Sequence, residues 1–215
     1  MTFWEYLDDR HQQLLTDAGR HAVVVVECMV VAAVLGVLIG VATYRSEWAG
    51  SLATVTTATL LAVPSPALIG LLVPVVGLGS PPTVIALTLY GLLPVVRSTI
   101  AGLRGVDPSL VDAARGIGMS GTARLLRIEL PLAWPPVLTG IRVATRMLTG
   151  IAAIAAYASG PGLGNVIFRG LAAPGGANAL NQVLAGTLGI IVLALLFDAA
   201  YGLIGRLTVS GGIRV

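Results

Sequence analysis

The chain of 215 residues is 56% hydrophobic and only 11% charged, with a mean hydropathy of +0.91. A soluble domain carries about 25% charged residues, so this chain has too little polar surface to cover a water-soluble globule, and its solvent is the bilayer. The net charge of +3 comes from 13 basic residues, every one an arginine. They are scattered among apolar runs instead of forming an aromatic-interleaved basic face, which excludes nucleic-acid reading and leaves the charge as topology information.

A helix that crosses the hydrocarbon needs about 20 residues at a rise of about 1.5 Å each. The first apolar run of that length covers 22–43 and closes on Tyr44-Arg45-Ser46-Glu47-Trp48. A second, 51–76, carries Pro64, Pro66 and Pro74, and a tight turn follows at 77–82. The third, 83–103, contains Pro94. After a polar segment the fourth spans 137–158, and a glycine-rich connector at 159–181 leads to the fifth, 183–203. The expected fold class is all-α: a polytopic membrane helix bundle of about five transmembrane helices, with its ends on opposite sides.

Arginine placement orients the bundle. With the central polar segment in the cytoplasm, Arg45, Arg97, Arg104, Arg115, Arg124, Arg127, Arg206 and Arg214 fall inside or at the inner boundary, against Arg10, Arg20 and Arg169 outside. That asymmetry follows the positive-inside rule. Residues 1–21 hold Glu5, Asp8, Asp9 and Asp17, which suits an extracytoplasmic end and argues against a signal peptide, whose start is basic; a plain polar leader fits as well. The expected division is this N-terminal segment, a transmembrane domain over 22–205, and a short cytoplasmic tail over 206–215.

Catalytic chemistry finds few residues to use. Cys28 is the single cysteine and lies within the first span, so it reads as packing. The histidines, His11 and His21, both precede or border that span. There is no HExxH, no Cys/His cluster and no GxxxxGK[ST] loop. Tyr157-Ala158-Ser159-Gly160 faintly resembles an intramembrane serine protease signature, but that chemistry needs a general base beside the serine, and no histidine lies within the bundle. No catalytic residue, metal ligand or cofactor is expected.

The central segment is punctuated like folded structure. Asp107 before Pro108 is a helix start, with a capping carboxylate and proline at the first helical position. A short helix over 108–115 then places Leu110, Ala113, Ala114 and Ile117 on one face and Ser109, Asp112 and Arg115 on the other. Gly116 and Gly118 are expected to stop it. Ser120 is expected to cap a second helix over 121–130, ended by Pro131.

These residues carry a resemblance. Asp112-Ala113-Ala114, then Gly118, then nine residues to Ile128-Glu129-Leu130-Pro131 resembles the EAA loop of ABC importer permeases, whose pattern is E-A-A-x-x-x-G, nine residues, I-x-L-P. Asp112 stands where that pattern has glutamate, which keeps the charge on a shorter side chain. Pro64-Ser65-Pro66-Ala67-Leu68, Gly77-Leu78-Gly79, Gly116-Ile117-Gly118-Met119-Ser120, Gly160-Pro161-Gly162-Leu163-Gly164 and Ile167-Phe168-Arg169-Gly170-Leu171 are similar to the osmoprotectant branch, whose solutes are glycine betaine, choline, carnitine or proline-type molecules.

The resemblance implies a machine of several parts. Its loop, about 104–135, would be a two-helix coupling element for a cytoplasmic ABC ATPase dimer, with Asp112, Ala113, Ala114, Arg115, Gly118, Ile128, Leu130 and Pro131 as coupling residues. Asp112 and Arg115 would make the polar contacts and Gly118 the hinge. A second permease subunit, identical or paralogous, would close the path, and an extracytoplasmic solute-binding protein would deliver solute. The lipid bilayer is the remaining partner, and nucleic acid is none.

Prolines inside spans free backbone carbonyls, which are tolerated where they are buried or line a wet cavity. A path along the second, third and fifth spans through Pro64, Ser65, Pro66 and Pro94 and simple packing kinks are both open readings. Aromatic faces hold quaternary ammonium groups; Tyr90 and Tyr157 are the candidates, although they make no cage. Asp198 lies about 12 Å above the inner end of its span, and Arg142 and Arg146 lie at comparable height. A pair of Asp198 with either arginine is expected, structural rather than conductive. Glu27 has no evident partner. An ATP-independent secondary transporter or small channel would leave the loop unexplained and shows no inverted repeat; a membrane adaptor would have no use for proline-broken spans.

Overall fold

Residues 1–209 are described in the computed structural model. Their helices are α1 (Phe3–Thr43), α2 (Glu47–Ala62), α3 (Ser65–Val76), α4 (Ser80–Arg104), α5 (Pro108–Gly116), α6 (Gly121–Arg124), α7 (Leu130–Ile154), α8 (Gly164–Ala172) and α9 (Ala179–Thr208), with a π turn at Leu125–Glu129 and a 3-10 turn at Ala155–Ala158. No strand occurs among the described residues. α1, α4, α9 and the stretch Gly121–Ala158 are each long and apolar enough to cross a membrane, and α2 and α3 pass the same test only together, as a sharply bent pair with the shape of a broken span or a re-entrant loop.

Three of these elements depart from the sequence reading. The polar N-terminal residues are no separate segment: Thr2 and Glu5 form a capping box, and α1 runs unbroken for 41 residues because no proline and few glycines interrupt it. The second apolar run is two helices meeting at 89°. Pro64 cannot donate to the turn before it and biases Val63 to extended backbone, at ψ 129°. Pro131, expected to end a helix, lies inside one: the π turn just before it widens the coil, so that the Leu130 N–H reaches back to the Leu125 carbonyl, five residues away. That opening relieves the clash a proline ring makes with the carbonyl four residues back. The tail at 206–215 is helical through Thr208, and its residues 210–215 lie outside those described.

Packing centres on α1, α4 and α7. Lipid tails are as apolar as leucine, so close approach of small residues drives association in place of hydrophobic burial. Gly36 and Gly40 supply it: a Cβ at Gly36 would stand 2.7 Å from Val95 Cγ1, and one at Gly40 would stand 2.6 Å from Thr99 Cβ. The paired numbers rise together, so α1 and α4 run parallel. α7 returns antiparallel to α4, with Gly140 against Pro94 and Ser98 and Gly102 against Ala133. Val25, Met29, Ala32, Leu87, Tyr90, Val95, Ala144 and Leu148 fill the core between them. α9 runs antiparallel to α7, where Trp134 Nε1 donates to Thr208 Oγ1 at 2.8 Å. Only Ala185 and Gly186 of α9 are buried, so most of its surface faces outward.

Candidate functional site

The EAA-like segment folds as a helix, a glycine turn and a second helix that feeds through the π turn into α7. Asp107 caps α5, its Oδ1 accepting from the Ser109 N–H at 2.8 Å, and that bond holds the carboxyl below the usual carboxylate range. Gly118 sits at φ +82°, left-handed backbone that costs a residue with a Cβ about 1–2 kcal/mol. Ser120 caps α6, accepting from the Ala123 N–H at 3.3 Å. Helix α5 includes Gly116, so Gly118 and not Gly116 makes the stop.

Of the residues named from sequence, Ala114 seats α5 on the molecule at 3% exposure, while Asp112, Ala113 and Arg115 face outward. Asp112 and Arg115 pair with each other at 3.5 Å in the open. Ile128 and Leu130 are half-buried and Pro131 is exposed. The expected apolar face of α5 is only partly covered, since Leu110 and Ile117 are exposed, Ile117 by 80%. The short helix therefore presents bare apolar residues beside an exposed charged pair.

Sequence reasoning missed what anchors the π turn that follows that helix. Glu129, side chain 5% exposed, accepts from the Tyr44 hydroxyl and from Arg124 Nε at 3.1 Å, and it lies 3.6 Å from Arg45 Nη2. Arg45 Nε donates to the Tyr44 hydroxyl at 2.7 Å, and Arg104 at the end of α4 donates to the Tyr44 and Ser46 carbonyls at 2.8 and 3.0 Å. This joint ties the ends of α1 and α4 to the π turn. The motif exposes Glu129 as a member, and Arg124 is only five positions away, but Tyr44 lies 85 positions away and carries no local signal.

Within the bundle, Asp198 receives two arginines. Arg142 bonds it through Nε at 2.6 Å and through Nη2, and Arg146 does so through Nε at 2.6 Å and Nη2. Tyr90, named as a path aromatic, is corrected: it is 1% exposed, and its hydroxyl donates to the Val63 carbonyl at 2.8 Å. Its role is to satisfy the backbone opened by the α2–α3 break. Pro64 and Pro66 are exposed at that break, Ser65 and Pro94 are half-buried, and Tyr157 stands 69% exposed on the 3-10 turn. These residues do not gather into one site. At the far end, Asp17 lies 3.5 Å from Arg169, and His21 is buried with Nε2 donating to the Thr149 carbonyl at 2.9 Å.

This fold is that of an inner-membrane transport subunit. The model of the family described as binding-protein-dependent transport system inner membrane component matches residues 32–209, and the chain belongs to that family. It is a multi-pass protein of the inner membrane and acts as the permease subunit of an ABC importer. The chain is 35% identical to the osmoprotectant import permease protein OsmW of Salmonella typhimurium, covering 90% of each chain. It is 29% identical to the glycine betaine/carnitine/choline transport system permease protein OpuCB of Bacillus subtilis, over 97% of this chain and 94% of that one. An inward-facing structure of the MetNI methionine ABC transporter superposes with a TM-score of 0.79 at 18% identity, covering 92% of this chain and 96% of that one, a likeness of fold.

Proposed function

We propose that this permease imports a small osmoprotectant of the betaine, choline, carnitine or proline type. Two copies of a separate ATPase drive it from the cytoplasm, a second permease subunit closes the path, and a solute-binding protein delivers solute from outside. The arginine-rich end is the cytoplasmic one, and residues 104–135 are the coupling element. ATP hydrolysis belongs to the partner; this chain supplies path and lever. The reading is carried by one coincidence: the Asp112-Ala113-Ala114, Gly118, Ile128-Glu129-Leu130-Pro131 spacing falls on an outward-facing helix, a positive-φ glycine turn and a π turn anchored to the rest of the bundle through Glu129. The names of the relatives support the solute class. An ATP-independent carrier would have no use for such a helix.

Uptake of radiolabelled glycine betaine and choline into proteoliposomes holding the complete complex, with binding protein outside, tests the proposal. Asp112→Arg and Gly118→Asp are expected to abolish ATP-driven uptake while the complex still assembles. Uptake that ignores ATP, or survives both changes, would refute the coupling role. A complex that hydrolyses ATP yet carries neither solute would refute the solute class alone.

A further inference from the structure

The Asp198 cluster is not electrically balanced. Two guanidiniums meet one carboxylate, so the group keeps one net positive charge at membrane depth. Each arginine spends Nε and Nη2 on Asp198, and neither Nη1 takes part in the pairing. Charge at this depth is costly unless it is paired or faces a wet cavity. Arg142 does face one: it lines an open cleft of about 790 Å³ between α4, α7 and α9, together with Ser98, Thr139, Tyr201 and Arg206. Among the described residues, no carboxylate lines that cleft. Tyr201 adds an aromatic surface there, fixed by the Thr145 hydroxyl, which donates to its own at 2.9 Å.

We infer that this cleft is a transit site for a carboxylate-bearing zwitterion, whose carboxylate meets Arg142 while its ammonium end rests on the Tyr201 ring. The arginine supplies a charge-assisted donor and the ring a cation–π face, one for each end of the same molecule. A free cation has only the ring to gain and is repelled by the guanidiniums. The inference rests on the osmoprotectant reading and deepens it: betaine, carnitine and proline-type solutes carry the carboxylate, whereas choline does not. The site selects by charge at a point in the path that solute reaches after leaving its binding protein.

The test uses the complete complex in nanodiscs of zwitterionic lipid, with cysteine-free partners, Cys28→Ala and a Thr139→Cys reporter in the cleft. Its thiol is modified by an anionic sulfonatoethyl and by a cationic trimethylammonium-ethyl methanethiosulfonate, each rate taken relative to a free thiol. The anionic reagent is expected to react about ten-fold faster, as a focusing positive cleft requires. Arg142→Gln is expected to erase the preference, and Arg142→Lys to keep part of it. Glycine betaine is expected to slow modification and choline to leave it unchanged. Equal rates, a preference that survives Arg142→Gln, or protection by no zwitterion would overturn the inference. Protection by phosphatidylglycerol alone would also overturn it, assigning the cleft to a lipid phosphate. Protection by zwitterionic methionine but not by betaine would uphold the charge-selecting site and remove the osmoprotectant reading.

Discussion

Two clusters in this chain share one composition, a carboxylate between two arginines, and differ in almost everything else. Glu129 sits between Arg124 and Arg45 at the arginine-rich end of the bundle, its side chain 5% exposed and closed over by Tyr44. Asp198 sits between Arg142 and Arg146 among the spans, its side chain 27% exposed and its arginines 37% and 49%. Closure turns the first into a joint: both carboxylate oxygens of Glu129 are engaged, and Tyr44 in turn is held by Arg104, so displacing the π turn displaces the end of α1, and through it that of α4. Openness leaves the second able to act on whatever passes. The same three charges make a joint where the carboxylate and Arg124 are sealed and only Arg45 reaches solvent, and a more open cluster where the carboxylate and both arginines stay wet.

The comparison breaks most visibly at Glu129. Glu129→Ala strands Arg124 in a nearly closed site, and loss of one partner of a buried pair costs about 3 kcal/mol. Thermal unfolding of the purified complex is expected to shift downward accordingly, with ATP-driven uptake lost. If uptake persisted at the wild-type rate, the joint would be no lever. Asp198→Asn should cost less, because water or a partner subunit can reach its arginines. Adding Arg146→Gln to Asp198→Asn is expected to recover part of that loss; no recovery would mean that the arginines are held by something other than Asp198.

Finer changes sharpen the contrast. Tyr44→Phe removes one hydroxyl from the closed joint and is expected to cost about 1 kcal/mol. In a double-mutant cycle with Glu129→Gln the two losses should be markedly less than additive, while Tyr44→Phe with Asp198→Asn should simply add. The smallest effect belongs to Asp107→Ala, which uncaps α5 at the surface. Since folding lowers the Asp107 pKa, its contribution is present above the usual carboxylate range and fades as pH falls through the lowered value. Amide exchange in 108–116 is therefore expected to quicken in the variant at neutral pH, and in the wild type only under acid.

Legibility in the sequence followed how local each signal was. The Asp107-Pro108 start and the Ser120 cap were plain because a cap and its N–H donor lie two or three residues apart. The stop was narrowed to Gly116 and Gly118, of which only Gly118 takes positive φ, while Gly116 stays within α5. Pro131 misled, since a proline normally ends a helix and nothing in 121–130 announces the π turn that accommodates it. Tyr90 misled for the opposite reason: an aromatic residue inside a span looks the same whether it faces solute or, as here, closes a backbone break on another helix. The Glu129 joint was invisible because Tyr44 and Arg45 come from the far end of α1, and Arg104 of α4 joins it only through the Tyr44 carbonyl.

By itself the sequence determined the bilayer as solvent, the apolar runs long enough to cross it and the caps of the central polar segment. Each of these rests on composition, run length or fixed spacing, quantities that a chain carries before it folds. Tertiary structure alone decided which carboxylate is sealed and which stays open. Helix arithmetic gives a residue its height in the membrane, but the side it faces depends on how α1, α4, α7 and α9 pack. That packing turns on close approaches such as Gly36 to Val95 and Gly40 to Thr99, and it sets whether two arginines and an acid become a joint or a site.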